Sequence, residues 1–163
     1  MTKMPTIVLF LDADACPVKN EAYRVAERYH LKTFVVSNNY IRIPRANFLE
    51  AIIVQSGLDK ADDWITEKAD EASIVVTNDV PLANRIVKKG GVALSPTGRL
   101  FDASTIGAAL ATRNLMENLR ESGAVTGGPR PFSNRDRSAF LGALELLIQR
   151  LKRKGYQTEF MAD

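Results

Sequence analysis

The feature that most constrains this chain is an apolar run near its start that ends in two aspartates. Residues 7–11 (IVLFL) are all apolar, and Asp12 and Asp14 follow almost at once. An uninterrupted apolar run of this length is typical of a strand that is buried on both faces, as in a parallel α/β sheet. Ligands of such sheets bind beyond the carboxyl ends of the strands. We therefore predict a binding edge at these aspartates; a turn in which either one only caps the next helix is the alternative.

The remainder of the chain alternates between helix and strand patterns. Helical spacing of apolar residues predicts helices over residues 17–30, 61–72 and 81–89, and β-rich runs predict strands at 33–37, 46–54, 74–77 and 92–94. Two further helices are predicted at about 104–121, capped by Ser104, and 134–154. The expected fold is a three-layer α/β/α arrangement with a mainly parallel five-stranded central sheet and C-terminal helices.

Length and composition favour a single domain. The 163 residues, 45% of them apolar, are enough to bury one core. We predict one domain over residues 1–155, with a helical extension over about 103–154 and a flexible tail over 156–163. The apolar run is too short to span a membrane and does not lead into a cleavage site, so a cytoplasmic protein is expected. The oligomeric state is left open.

Residue counts restrict the kind of metal site that this chain can build. One Cys and one His exclude an internal disulfide and a Cys/His zinc site, so oxygen ligands would hold any metal. The net charge is +3, but acidic residues gather over 59–71 and basic residues over 130–154. This separation is typical of a metal-dependent enzyme that acts on a polyanion. A solvated helix face would explain the basic cluster at 152–154 equally well.

Further carboxylates are predicted to meet the first pair. Asp79 follows the fourth strand, and parallel strands present their carboxyl ends at one edge of the sheet. Asp62 and Asp63 open the helix before that strand, a position where the helix dipole alone would favour one of them. Such a cluster suits Mg²⁺ or Mn²⁺, which activate water and stabilise phosphoryl transfer. The predicted metal ligands are Asp12, Asp62, Asp63 and Asp79, and the predicted catalytic residues are Asp12, Asp14 and Asp79.

Other polar residues are predicted to support this site. Glu21 lies one turn into the first helix and Asn78 precedes Asp79, so both are supporting candidates, although Glu21 would also suit an exposed helix surface. Arg130 and Arg137 are predicted to bind phosphate, since guanidinium groups bind phosphate with two parallel hydrogen bonds. A surface ion pair with a nearby carboxylate is the alternative for both arginines.

Four motifs in order resemble the YaiI/YqxD family of bacterial proteins. They are residues 12–21 (DADACPVKNE), 61–65 (ADDWI), 76–83 (VTNDVPLA) and 127–132 (GGPRPF), the last followed by Asp136, Arg137 and Phe140. Together they cover nearly the whole chain. The resemblance extends to the PIN-like superfamily of metal-dependent nucleases, with which this family is grouped.

The resemblance implies a fold, a ligand set and an activity. PIN domains carry one aspartate after strand one, one at the start of the helix before strand four, and one in a Thr-x-Asp segment after strand four. The matching positions here are Asp12, Asp62 or Asp63, and Asp79. A metal-dependent nuclease acting on nucleic acid, with RNA as the expected substrate, is the function that this resemblance implies. The motifs at residues 14–17 and 127–132 are not general PIN features, and their roles are left open.

Three other functions fit parts of the sequence. Haloacid-dehalogenase-like phosphatases also begin with an apolar strand and Asp-x-Asp, and Ser37 resembles their strand-end hydroxyl, but a clear lysine motif is missing. Cys16 precedes a helix, which lowers a thiol pKa, whereas the neighbouring aspartates raise it, so a packed cysteine is expected. A binding module for nucleic acid or protein, without turnover, would preserve the same fold.

Overall fold

The structure is a computed structural model that describes residues 5–55, 57, 59–128 and 130–158. The strands are β1 (Thr6–Asp12), β2 (Lys32–Ser37), β3 (Leu49–Ile53), β4 (Ser73–Val76), β5 (Val92–Leu94), β6 (Leu100–Phe101) and β7 (Gln157–Thr158). The helices are α1 (Lys19–Tyr29), α2 (Lys60–Lys68), α3 (Val80–Lys88), α4 (Ile106–Glu121) and α5 (Asn134–Arg153). The predicted α/β class and the alternation of its elements are confirmed.

The sheet is mainly parallel, with β1 at its centre. Its order is β3-β2-β1-β4-β5-β6, in which only β6 runs antiparallel to its neighbour. The chain builds outward from β1 on one side through β2 and β3, then returns to the other side of β1 with β4. This reversal creates a crevice beyond the carboxyl ends of β1 and β4, the usual ligand position in open α/β sheets.

Two strands were not among the five predicted from sequence. β6 and β7 have two residues each, too few for an alternating pattern to be recognised. β7 also replaces the start of the predicted flexible tail, because Gln157 and Thr158 pair with Thr6 and Ile7 of β1. Residues 159–163 of that predicted tail lie outside the described residues, as do Ser56, Leu58 and Pro129.

Both faces of the sheet are covered, as the apolar run predicts. Leu9 and Leu11 belong to a core that α1 and α5 complete on one face. Phe10 points to the other face, where α2, α3 and the start of α4 pack. There its ring lies 6.2 Å from that of Trp64, which in turn lies 5.4 Å from Phe34. The centre of the molecule is therefore apolar, and the polar groups at the ends of the strands are confined to the edge.

The last two helices differ in how they begin. The Ser133 side chain accepts from Asp136 N in a capping box at the start of α5. The prediction of Ser104 as the cap of α4 is wrong, since the N-cap is Thr105, whose side chain makes no cap hydrogen bond. Instead, Oδ1 of Asp102 accepts from the N–H groups of Ser104 and Thr105 at 2.9 and 3.1 Å. A carboxylate oxygen can accept several such bonds, which a single hydroxyl does less well.

Candidate active site at the carboxyl edge of the sheet

A threonine hydroxyl joins the carboxylate of Asp12 to the backbone of Asp79 where β1 and β4 end. Thr77 Oγ1 donates to Asp12 Oδ2 at 2.7 Å and accepts from the backbone N–H of Asp79 at 2.9 Å. Asp79 is the N-cap of α3, where its Oδ1 accepts from Leu82 N at 3.0 Å. Oδ2 of Asp12 and Oδ1 of Asp79 are thus engaged within the protein, and the side chains of Asp79 and Asp62 lie close enough to share a proton. Thr77 was not among the site residues predicted from sequence. The Thr-x-Asp pattern implied by the family resemblance includes it.

Asp62 joins this pair from the first turn of α2. Burial and the negative charges of Asp79 and Asp12 raise the pKa of Asp62 to about 7. The pKa of Asp12 is also raised, by burial and by the charges of Asp79 and Asp14. Carboxylates perturb one another in this way only when they lie close together without enough cationic compensation. The structure therefore brings Asp12, Asp62 and Asp79 together at one edge.

The donor chemistry of this cluster suits a hard divalent cation. Mg²⁺ and Mn²⁺ prefer carboxylate oxygens, and partial burial makes uncompensated negative charge unfavourable without a cation. Within the described part of the chain, however, no three Asp, Glu, His or Cys side chains are grouped tightly enough to hold a metal as they stand. The metal assignment therefore stays a prediction.

Asp14 performs a different task from Asp12. Ser37 Oγ donates to its Oδ1 at 2.6 Å, and Asn38 N donates to its Oδ2 at 2.9 Å. Burial alone would raise the pKa of Asp14, but these hydrogen bonds outweigh it and lower the pKa. Both oxygens are thus engaged in linking the end of β1 to the end of β2. The geometry favours a positioning role over the catalytic role predicted from sequence.

Asp63 lies outside the carboxylate cluster. Its Oδ1 forms an ion pair with Arg85 of α3 at 3.0 Å, and its side chain is 59% exposed. Consecutive helical residues point about 100° apart, so Asp62 and Asp63 cannot share one direction. The geometry does not support the prediction of Asp63 as a metal ligand.

The two predicted phosphate-binding arginines are already paired with carboxylates. Arg130 donates two hydrogen bonds to Asp136, at 3.0 and 2.7 Å, and Arg137 donates to Glu21. Glu21 is only 5% exposed, so it is not an exposed helix residue, and it is not among the residues that line the cavity over the carboxylates. A buried carboxylate requires a cationic partner, and Arg137 supplies it. The ion-pair alternative therefore describes both arginines in this structure.

A cavity of about 410 Å³ opens over the carboxylates. Asp12, Asp79 and Asn78 line it, and Arg113 of α4 is the cationic side chain among its described lining residues. Arg113 also pairs with Glu117 at 3.1 Å, one helical turn further on. Arg113 was not predicted from sequence, because its position at the cavity depends on how α4 crosses the sheet edge.

A second cavity continues from the first. Asn78 and Pro96 line both, and Arg130 and Phe132 line the second, whose volume is about 560 Å³. The end of the 127–132 motif thus forms a wall of a groove that leads to the carboxylates, although its Pro129 is outside the described residues. This gives the motif a location near the candidate site.

Cys16 is packed. It is 7% exposed, and burial raises the pKa of its thiol. A thiol with a raised pKa is a poor nucleophile at neutral pH. The geometry agrees with a packed cysteine.

Comparison with known proteins identifies the family of this chain. Residues 10–150 match the family model described as "Uncharacterized BCR, YaiI/YqxD family". The chain belongs to the YaiI/YqxD family. A UPF0178 protein of Bartonella henselae is 60% identical over 148 residues, which are 91% of this chain and 100% of that protein. A UPF0178 protein of Azorhizobium caulinodans is 57% identical over 152 residues, covering 93% of this chain and 96% of that protein.

Membership of the YaiI/YqxD family does not itself assign a chemical activity. No solved structure matches the chain, so the PIN-like relationship stays a prediction. No helix among residues 5–55, 57, 59–128 and 130–158 is long and apolar enough to cross a membrane. The function must therefore be argued from the carboxylate cluster and its surroundings.

Proposed function

We propose that this YaiI/YqxD protein is a nuclease that uses Mg²⁺ or Mn²⁺ to hydrolyse phosphodiester bonds of RNA. The observation that carries the proposal is the convergence of Asp12, Asp62 and Asp79 in the crevice between β1 and β4. Burial first, and then the negative charges of neighbouring aspartates, raise the pKa values of Asp12 and Asp62. Unneutralised carboxylates in a crevice at the strand ends are suited to a divalent ion and a phosphate group together.

Each residue of the cluster has a distinct role in this proposal. Asp12, Asp62 and Asp79 hold the ion, which would supply a Lewis acid and a more acidic water nucleophile. Thr77 fixes Asp12 through its 2.7 Å hydrogen bond, and both residues line the cavity. Arg113, at the same cavity, binds non-bridging phosphate oxygens.

The aspartyl-phosphatase alternative receives less support. That chemistry needs a lysine beside the nucleophilic aspartate, whereas Lys19, which lies near Asp14, donates to the carbonyl oxygen of Cys16 at 3.1 Å. The strand-end hydroxyl of Ser37 is also committed, because it donates to Asp14 and accepts from Asn39 N. Neither group is arranged for an aspartyl-phosphate intermediate.

The test compares Asp12→Asn with Asp63→Asn in a cleavage assay on labelled RNA. Asp12→Asn should reduce Mn²⁺-dependent cleavage at least about a hundredfold, because it removes a charged ligand at the reacting phosphate. Asp63→Asn removes the same charge from a side chain that faces Arg85, and should retain most of the activity. Calorimetric titration with Mn²⁺ should show weaker binding for the first variant only.

Two results would contradict the proposal. One is cleavage that continues unchanged in EDTA, which would remove the need for a divalent ion. The other is full activity of Asp12→Asn in a protein that still binds Mn²⁺ like the wild type.

A further inference from the structure

The connection between β2 and β3 presents an unusual exposed surface. Residues 38–48 leave the sheet at the edge that carries the carboxylates, because β2 ends at Ser37. Ile41 and Ile43 pack against the core and hold this segment in place. Tyr40, in contrast, is 85% exposed, and Arg42 is exposed as well. The alternation fixes the backbone to the protein and directs an aromatic ring and a cation toward solvent.

These outward side chains lie together with a second arginine. Residues 40–45, which we call the 40–45 surface, line a cavity of about 550 Å³ that includes Tyr40, Arg42 and Arg45. Arg45 also borders a neighbouring cavity of about 420 Å³ that contains Arg24 of α1. Within the described part of the chain, no hydrogen bond or ion pair engages the side chains of Tyr40, Arg42 or Arg45. Their polar groups are therefore available to a ligand.

The 40–45 surface starts next to the acidic cavity. Asn38 N is hydrogen-bonded to Asp14, which lines that cavity. Tyr40 is two residues further along, so its Cα lies at most about 7.6 Å from that of Asn38. An extended strand of nucleic acid that crosses the carboxylates toward the end of β2 would run toward this surface.

The chemistry of the surface selects among ligands. An exposed aromatic ring beside arginines is what proteins use to bind single strands, with the ring stacking on a base and the guanidinium groups binding phosphates. A duplex offers the phosphates but hides the base faces inside its stack, so the ring would contribute nothing to duplex binding. The combination of one ring and two cations therefore fits an unpaired strand better than a duplex.

We propose that the 40–45 surface binds a nucleotide of a single-stranded nucleic acid next to the carboxylate site. The Tyr40 ring stacks on a base, and Arg42 and Arg45 bind the adjoining phosphates. This inference deepens the proposed nuclease function. It rests on that function for the cleavage of the bound strand, but not for the binding itself.

The test measures fluorescence anisotropy of a labelled oligouridylate of about twelve nucleotides in EDTA, where metal-dependent cleavage cannot occur. Tyr40→Ala should weaken binding about tenfold through the loss of stacking, whereas Tyr40→Phe keeps the ring and should stay within about twofold of the wild type. Arg42→Ala with Arg45→Ala should weaken binding and lower the salt dependence, since two phosphate contacts are lost.

A matched control removes the same charge elsewhere. Arg150 and Arg153 are exposed near the end of α5, at the opposite edge of the sheet, because β7 follows directly and pairs with the start of β1. Arg150→Ala with Arg153→Ala should therefore leave the affinity within about twofold of the wild type. A duplex of matching length should bind equally well to the wild type and to Tyr40→Ala.

Several outcomes would overturn the inference. One is that the wild-type protein does not bind the oligouridylate, and another is that Tyr40→Ala binds it like the wild type. A third is that the double variant in α5 loses as much affinity as the double variant of the 40–45 surface. Binding that depends on Tyr40, in a protein that cleaves no RNA, would support the surface and contradict the nuclease proposal. Cleavage with unchanged affinity in all surface variants would contradict the surface alone.

Discussion

Among the described residues of the candidate site, the carboxyl of Asp62 has the one large pKa shift. Its pKa of about 7, against an ordinary value of 3.8, means that the folded protein binds this proton more tightly than the unfolded chain. The stabilisation from that proton is complete below about pH 4 and is lost as the pH rises toward 7. The metal-free protein should therefore become less stable over this pH range.

We predict that Asp62→Asn removes most of this pH dependence. At about pH 8 in EDTA, the variant should be more stable than the wild type by on the order of 1 kcal/mol, a figure reduced for solvent screening at a half-exposed group. At about pH 4 the two should be similar. Urea unfolding at both pH values measures the difference.

Asp63→Asn is the control for this prediction. It breaks an exposed ion pair with Arg85 and should change the free energy of unfolding by less than about 1 kcal/mol at either pH. Added Mn²⁺ should stabilise the wild type more than Asp62→Asn. Equal pH profiles for wild type and Asp62→Asn would show that the carboxylates do not interact as described.

The ion pair between buried Glu21 and partly exposed Arg137 gives a second prediction at this scale. Arg137→Ala leaves a carboxylate that is 5% exposed with only Arg24, at 3.6 Å, as a partner. The variant should lose about 2–3 kcal/mol of unfolding free energy. The double variant Glu21→Gln with Arg137→Met removes both charges and keeps an apolar stem against Phe132, so urea unfolding should show a smaller loss. A double variant as unstable as Arg137→Ala would contradict this account.

The residues of the candidate site differed in how far sequence could predict them. Asp12, Asp62 and Asp79 follow from their places at strand ends and in a helix turn, because parallel strands fix which ends meet. Glu21 and Arg137 are 116 positions apart, and a pair at that separation leaves no local pattern. Arg113 was missed for the same reason, since its position depends on the path of a whole helix.

Among the elements, the turn between β5 and β6 sets the position of α5. Gly98 has φ +90°, and a Cβ at this position would lie 2.7 Å from the backbone carbon of Ala139 in α5. The turn and the helix therefore touch backbone to backbone. This contact holds the start of α5 against the wall of the groove that Pro96 and Phe132 line.

We predict that Gly98→Ala destabilises the protein by at least about 2 kcal/mol, because it combines an unfavourable φ with a collision against backbone. The matched control is Gly142→Ala in the exposed part of α5, where no atom lies within 4 Å of the added carbon. That change should stabilise the helix by about 0.5–1 kcal/mol. Thermal or urea unfolding of both variants provides the comparison, and similar stabilities would contradict the described contact.

Periodicity predicted the elements that are long enough to show it. The five helices were anticipated from apolar residues at helical spacing, and β1 to β5 from apolar and β-rich runs. β6 and β7 have two residues each and depend on neighbours distant in the chain, so no local pattern marks them. The cap of α4 was placed one residue early because Ser104 and Thr105 both carry a hydroxyl that suits an N-cap, and sequence alone does not separate them.

At the scale of the whole molecule, β7 joins the end of the described chain to its beginning. Thr158 is 8% exposed beside β1, and Tyr156 packs partly against the core. Deletion of residues 156–163 should therefore lower the unfolding free energy by about 1–2 kcal/mol. Urea unfolding of the shortened chain tests this, and unchanged stability would show that the pairing contributes nothing.

The charge pattern of the whole chain was a weaker guide than its strand order. Acidic and basic clusters suggested a polyanion site, but the basic end of α5 lies at the edge opposite the carboxylates. Charge counted along a sequence ignores the direction in which each helix crosses the sheet. Strand order determines which loops meet. It therefore predicted where the carboxylates lie, whereas the charge pattern along the sequence did not.

The two cores on opposite faces of the sheet have a practical consequence. The only tryptophan of the sequence, Trp64, packs edge-on against Phe10 and Phe34 on one face, whereas α1 and α5 cover the other. Its fluorescence is thus a built-in optical reporter of a single layer. An emission change that precedes the loss of far-ultraviolet circular dichroism would reveal that this layer loosens before the rest, and coincident curves would show that both layers melt as one unit.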